Sequence, residues 1–388
     1  MIGGGIASAT AAATLREQGA SGAVLLVGRE LDAPYHRPPA TKAYLQGAAT
    51  KADALVHPAG WWSEHDVELM TRTSVTALDP AARTATLSTK QTVSYDSALL
   101  ATGAMVRRLS LPGTELDGLH YVRALMNADL IKRDLDAVQA EHVVLVGGSY
   151  IGCEIAASLT VLGRRCTVLM QEEEPMERGF GPAVGRHVRS VLEAHGVTVR
   201  GGVEVEGFAG SERVERVGLA GGEALAAGAV VAGVGATPDV MIARKAGLEL
   251  GPLGGVACDA TLRTSAAGLW AAGDICEYAS VLHGTAVRIE HEDVAANQGA
   301  HVARAMLGAD EPYAVVPYFW TDLADWTSVE HVGAARDWAR EELDGDPGSG
   351  PFGVRYLDAD GRLVAALSAD GGGDLEAARA ELAARATA

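Results

Sequence analysis

Ile2-Gly3-Gly4-Gly5-Ile6-Ala7-Ser8 and Val146-Gly147-Gly148-Ser149-Tyr150-Ile151-Gly152 are two versions of one glycine-rich turn in a single chain of 388 residues. Each sits at the end of an apolar run and opens an alanine-rich, helix-like segment, as a dinucleotide-binding βαβ unit requires. The glycines allow a tight turn, close approach of backbone to a pyrophosphate, and close packing of helix on strand. The helix N-terminus then offers free N–H groups and partial positive charge to the phosphates. Both copies depart from the full pattern. Ser8 holds the third position of the first, and Ser149 the middle position of the second, where its Cβ stands in the path of a pyrophosphate. Two such units imply two nucleotide cofactors, most simply a resident flavin dinucleotide and a visiting nicotinamide. The expected fold is α/β, with two Rossmann-like units.

The strand after each turn carries the next signal. Ala23-Val24-Leu25-Leu26-Val27 leads through Gly28 and Arg29 to Glu30, about where an acid holds the adenosine ribose hydroxyls. In the second unit, Cys166-Thr167-Val168-Leu169 runs into Met170, where that acid would stand, and Glu172, Glu173 and Glu174 arrive just beyond. Three carboxylates there repel a 2′-phosphate, so NADH is expected over NADPH. Only Met1 and Ile2 precede the first turn, whereas a parallel strand has four or more residues. The expectation is a natural start several residues upstream, or flavin binding weakened by the missing strand.

Composition excludes several classes. A hydrophobic content of 48% is ample for two or three domains at this length. A net charge of −18 argues against nucleic acid or an anionic membrane as partner. No apolar run approaches the ~18 residues of a membrane span, and no signal peptide precedes the first turn, so a cytoplasmic protein is expected. The four cysteines, Cys153, Cys166, Cys258 and Cys276, contain no CxxC or CxxxxC pair, which excludes a dithiol disulfide reductase. The 11 histidines show no HExxH or paired Cys/His spacing, so no metal site is expected.

Further short motifs follow in order: Pro34-Tyr35-His36-Arg37-Pro38-Pro39 with Thr41-Lys42, Leu100-Ala101-Thr102-Gly103, Gly233-Val234-Gly235-Ala236-Thr237-Pro238, Ala271-Ala272-Gly273-Asp274, Arg288-Ile289-Glu290-His291 and Tyr318-Phe319-Trp320-Thr321-Asp322. Their order and spacing resemble the FAD-dependent NAD(P)H:ferredoxin reductases of oxygenase systems, over nearly the whole chain. The last two motifs are similar to the related apoptosis-inducing-factor-like flavoproteins. The resemblance implies a glutathione-reductase-like fold with FAD- and NAD-binding domains and a small α+β C-terminal domain.

It also implies roles for these residues. Lys42 would sit over the flavin with Glu154 as its ion-pair partner, the two catalytic candidates, and a cation there favours the reduced, anionic flavin. Ala101, Thr102 and Gly103 would close the flavin domain, Gly235 would mark the exit from the nicotinamide domain, and Gly273 with Asp274 would form the ribityl site. Physical chemistry adds that Arg37, in a proline-stiffened loop, is placed to pair a phosphate. Asp274, after an apolar strand and a glycine, can accept from ribityl hydroxyls. Trp320 reads as an aromatic wall beside the isoalloxazine, and His291 as a hydrogen-bonding or packing residue of the flavin site. Glu292 and Asp293 open a helix running through Met306. Acids in a first turn follow from the helix dipole alone, so neither receives a functional role. The same N-terminus can support negative charge on the flavin pyrimidine.

The expected layout is a discontinuous FAD domain, 1–106 and 239–308, an inserted NAD domain, 107–238, and a C-terminal domain, 309–388. Val354–Leu357 and Leu363–Leu367, joined by Asp358-Ala359-Asp360-Gly361, read as a hairpin ahead of a helix from Leu375 to Ala384. The acidic, glycine-rich Glu341–Gly350 reads as a mobile loop. The function expected is an FAD-dependent oxidoreductase that takes hydride from NAD(P)H and passes electrons singly to a ferredoxin-like or rubredoxin-like protein. The rivals are a reductase using quinone or oxygen, and an NADH redox sensor of the apoptosis-inducing-factor kind. Such acceptors are acidic, so docking calls for a local basic patch, with Arg107, Arg108 and Arg288 as candidates. A monomer or homodimer is expected.

Overall fold

The architecture is that of a computed structural model, which describes residues 1–334 and 337–387. Its organising feature is a pattern used twice. In the first unit, parallel strands run in the order Val67–Met70, Val24–Val27, Ile2, Ala98–Leu100, Leu269–Ala271. Ile2 contributes as a single bridge between Val27 and Leu100. In the second, five parallel strands run Thr198–Arg200, Arg165–Leu169, His142–Val146, Ala229–Ala232, Leu119–Tyr121. Each unit inserts a three-stranded antiparallel sheet at the same place, Val75–Asp79 to Thr92–Ser94 in one and Val205–Ala209 to Ala224–Ala226 in the other. Central strands such as Val143, Val144 and Leu145 are wholly buried, as a parallel sheet covered on both faces demands.

The glycine turns open helices Ile6–Glu17 and Tyr150–Val161. The first packs tightly on helix Glu292–Met306, since a Cβ at Gly299 would lie 2.1 Å from the Ala7 carbonyl oxygen. The chain passes between the units along two strands, Ala104–Val106 and Ala236–Pro238, which pair antiparallel, Val106 opposite Ala236. The second unit shares one apolar core with the third part of the chain and with Tyr44 of the first unit, a cluster that includes Ile155, Val168, Phe319, Leu323 and Leu367.

That third part is a five-stranded antiparallel sheet, Tyr318–Leu323, Thr327–Gly333, Leu363–Ala369, Phe352–Leu357, Arg340–Asp344, with helix Leu375–Ala383 against it. The segment expected to be a mobile loop from Glu341 is, up to Asp344, the edge strand of this sheet, pairing with Phe352–Leu357. Its charges are those of a solvated edge, where acids and arginines discourage further strand addition. Arg340 pairs with Glu342 at 2.7 Å. Among the described residues no helix is long and apolar enough to cross a membrane.

Candidate functional site

A cavity of about 480 Å³ runs from the first glycine turn to the aromatic residues of the C-terminal sheet. Gly3 is obligatory in the turn: its φ is +122°, and a Cβ would lie 2.0 Å from the Ala101 carbonyl oxygen. Gly5 is the opposite case. Its backbone is extended and no protein atom lies within 4 Å of where its Cβ would be, so the bare backbone faces open cavity. That is the cradle a pyrophosphate needs. Ser8 is fully buried in the helix and is not on the cavity wall.

Beyond the turn, Glu30 accepts from Arg37 Nη2 at 2.6 Å and from the Tyr35 hydroxyl. Burial raises the Glu30 carboxyl, but Arg37, Tyr35 and Arg29 together bring it below the ordinary carboxylate value. Arg37 also donates to the Arg123 carbonyl at 2.9 Å. Arg123, which no motif announced, forms an ion pair with Asp274, and both line the cavity. Its only sequence signal is position, just past the end of the parallel strand Leu119–Tyr121, where ligand crevices open in such sheets. Asp274 lies in a short turn whose Gly273 N–H donates to the buried Gln298 side chain at 2.8 Å. Ala101 donates from its N–H to Ile2 O at 2.8 Å, Thr102 Oγ1 to Asp239 O at 2.6 Å, and Asp239 N to Gly103 O at 2.8 Å. Asp239 is held in turn by Arg29 at 2.8 Å.

At the far end Lys42 and Glu154 form an ion pair. Helix Tyr150–Val161 buries its first turns against the cavity, so Glu154 has only 5% of its side chain exposed, and Lys42 16%. Thr41 Oγ1 donates to Glu154 at 2.5 Å and Thr321 Oγ1 at 2.6 Å. A buried carboxylate with a cation and two hydroxyls is fully engaged, and removing one partner would leave it costly. Tyr150, Ile151, Phe319, Trp320, Glu290 and His291 complete this end. Phe319 rather than Trp320 is the packed ring, with Tyr150, Phe180 and His291 at 5.1, 5.8 and 4.7 Å. Trp320 stacks on Tyr318 at 5.9 Å. Burial pushes the His291 pKa down to about 4, so its ring is neutral near pH 7. His291 Nδ1 and Arg123 Nε are buried without a hydrogen-bond partner.

Two expectations about charge are corrected here. Arg288 is not a free surface cation: it pairs with Glu290 at 2.5 Å and donates to Asp274 O at 2.9 Å. Glu292, left without a role, accepts from His36 Nδ1 at 2.6 Å and from the Arg37 N–H at 2.9 Å. A first-turn acid needs no partner for its helix, and for that reason the sequence hides one that has two.

In the second turn only Tyr150 and Ile151 reach the cavity; Gly147, Gly148, Ser149 and Gly152 are not on its wall. Gly147 has φ +111° and a Cβ there would lie 2.4 Å from Gly233 O; one at Gly152 would lie 2.1 Å from Gly147 O. Ser149 Oγ donates to Gly233 O at 3.0 Å. Met170 packs its sulfur over Gly148. Of the three acids beyond it, Glu172 pairs with Arg178 at 2.5 Å and Glu174 with Arg189 at 2.6 Å. Gly235, with φ +99°, opens to free space beside the strand link. The free thiols are Cys153, Cys166 and Cys276, all buried, and Cys258, partly so. Burial raises Cys166 to about 11. Among the described residues no His, Cys, Asp or Glu cluster suits a metal.

Two dinucleotide-type units, one with an elongated cavity and one with a second glycine turn beside it, define the pyridine-nucleotide-linked flavoproteins. The model of the pyridine nucleotide-disulphide oxidoreductase family matches residues 1–299, and the chain belongs to that family. It is 32% identical over 384 residues to the ferredoxin–NAD(+) reductase component of the anthranilate 1,2-dioxygenase system of Burkholderia cepacia, covering 99% of this chain and 93% of that one. With the rubredoxin–NAD(+) reductase of Pseudomonas putida the identity is 32%, over 87% of each chain. Putidaredoxin reductase, solved in covalent complex with putidaredoxin, superposes with a TM-score of 0.92 at 29% identity, covering 99% of this chain and 92% of that one.

Proposed function

We propose that the protein is an FAD-dependent reductase that oxidises NADH and passes electrons one at a time to a ferredoxin-like or rubredoxin-like iron–sulfur protein. The observation that carries this reading is the single cavity with the open backbone of Gly5 at one end and the Lys42–Glu154 pair at the other. The unpartnered Arg123 Nε and His291 Nδ1 on or near its wall suit a polar, many-atomed ligand such as FAD. Bound flavin supplies acceptance of two electrons and their release one by one. Gly3 to Gly5 and the helix behind them would hold the pyrophosphate, Glu30 the adenosine ribose, and Asp274, set by Arg123, the ribityl chain. Glu154 fixes the Lys42 ammonium at the cavity wall, where its charge favours electron uptake, and Tyr150, Phe319 and Trp320 keep water from that end. The second turn, Gly147 to Gly152, would take NADH, with Glu172 opposing a 2′-phosphate. Near its N-terminal border Arg107 and Arg108 are exposed, Arg108 lying over the Tyr121 ring at 5.2 Å, and they suit an acidic partner.

Purified protein should be yellow, and NADH oxidation should be fast with one of a panel of ferredoxins and rubredoxins, slower with NADPH. Arg107→Glu with Arg108→Glu should slow the protein acceptor and spare ferricyanide. Fast turnover with quinone alone, or sluggish turnover with every acceptor, would replace this reading with the quinone reductase or the redox sensor.

A further inference from the structure

The loop bearing Arg37 and Lys42 is pinned to the closing helix through one carboxylate. Glu292 is the first residue of helix Glu292–Met306 and lines the cavity. One of its oxygens accepts from His36 Nδ1 at 2.6 Å and the other from the Arg37 N–H at 2.9 Å, across 256 and 255 residues of sequence. Its side chain is 15% exposed and that of His36 is 44% exposed, so the histidine can exchange a proton with water while the carboxylate stays against the cavity.

The other charges nearby are already committed. Arg37 faces Glu30, Lys42 faces Glu154, Glu290 faces Arg288, and Asp293 accepts from Asn297 at 2.9 Å. From the segment ahead of Trp61, His57 feels the charge of His36, but burial above all lowers its own pKa, so it loses its charge before His36 does. The charge left to vary at this wall is therefore that of the His36–Glu292 pair, neutral when His36 is protonated and −1 when it is not.

We propose that Glu292 is a positioning residue for the flavin-site loop and that His36 is its titrating counter-charge, so that the bound flavin becomes harder to reduce as His36 loses its proton. This rests on the reading of the cavity as the flavin site. The hydrogen bond to Glu292 raises the His36 pKa, against partial burial, which lowers it. The change therefore falls above the ordinary histidine value of about 6.5.

The test uses the flavin-loaded protein, with His36 titrated by NMR and the reduced-to-oxidised flavin ratio read at fixed potential across pH. His36→Asn should lower that ratio on the order of tenfold well below the His36 pKa, where it removes a positive charge, and should coincide with wild type well above it. Glu292→Gln keeps an acceptor for the Arg37 N–H. It should return the His36 titration toward its ordinary value and raise the ratio at both ends of the pH range. His36→Asn tracking wild type at every pH, or a His36 titration indifferent to Glu292→Gln, would overturn the proposal. If Glu292→Gln sheds its flavin, the His36→Asn profile still decides. Wild-type protein that binds no flavin would overturn the reading of the cavity, and the proposal with it.

Discussion

The two glycine turns answer the same steric demand and face different surroundings. Gly3 and Gly147 both sit at strongly positive φ, each under a carbonyl oxygen just past the end of a neighbouring strand, Ala101 in one and Gly233 in the other. Two residues further into the motif they diverge. Gly5 opens onto a cavity, whereas Ser149 fills the equivalent place and spends its hydroxyl on Gly233 O. The first turn is shaped for a ligand enclosed by three parts of the chain. The second has its cradle partly closed by Ser149 and by Met170 over Gly148, which under the proposed function would suit a ligand that comes and goes. On the proposed function the same strand order would serve retention in one unit and exchange in the other, the difference lying in the residues at the turn and in what covers it.

The largest effects should come from the shared demand. Gly3→Ala and Gly147→Ala each force a Cβ against a backbone oxygen at positive φ, costing ~3 kcal/mol or more. Gly3→Ala should cost flavin as well as thermal stability, whereas Gly147→Ala should purify with flavin and fail to bind NADH. Flavin content and NADH titration read both, and the reverse pattern would undo the assignment of ligands to turns.

Next in size is Lys42→Met, which leaves Glu154 with its two threonine hydroxyls but no cation. The variant should stay yellow, with a lower flavin midpoint potential and reduction by NADH slowed on the order of tenfold. Colourless protein would move Lys42 among the residues that anchor the cofactor.

The divergence itself is tested by two exchanges of about 1 kcal/mol. Gly5→Ala meets no protein atom, so stability should hold while flavin affinity falls several-fold, about what ~1 kcal/mol gives. Ser149→Gly loses a hydrogen bond worth ~1 kcal/mol but clears the backbone, so KM for NADH should fall as thermal stability drops slightly. Flavin binding indifferent to Gly5→Ala would mean that the cavity end does not hold a pyrophosphate. The smallest change is expected from Glu172→Gln, which should narrow the preference for NADH over NADPH by a few-fold, since Arg178 already offsets part of that carboxylate's charge.

Much of this architecture is legible in the chain because its decisive positions are local. A glycine turn between an apolar run and an alanine-rich run announces itself within ten residues, and so does the hairpin around Asp358 to Gly361. Pairings that join distant residues are not visible in that way. Nothing near Arg123 announces its partner Asp274, and Glu292 looks like any first-turn acid until the loop at His36 comes down on it. Arg288 misleads in part for the same reason: Glu290 is only two residues along, but the Asp274 carbonyl becomes its neighbour only through the fold. The edge strand Arg340–Asp344 is misread because charge on a strand's exposed side resembles the charge of a loop, and its backbone pairing with Phe352–Leu357 has no local signature.

The paired strands Ala104–Val106 and Ala236–Pro238 have a bearing on modular redesign. They bring the entry and exit of the whole second unit side by side, with Val106 opposite Ala236. A unit whose ends already meet can be lifted out and another grafted in with little change in loop-closure entropy. The graft would have to match one buried face, where Ile155 and Val168 share a core with Phe319 and Tyr44. A nicotinamide module of different coenzyme preference could then be spliced between the two strands as a cassette, provided it kept that face and counterparts of Arg123, Tyr150, Ile151 and Glu154, which line the cavity.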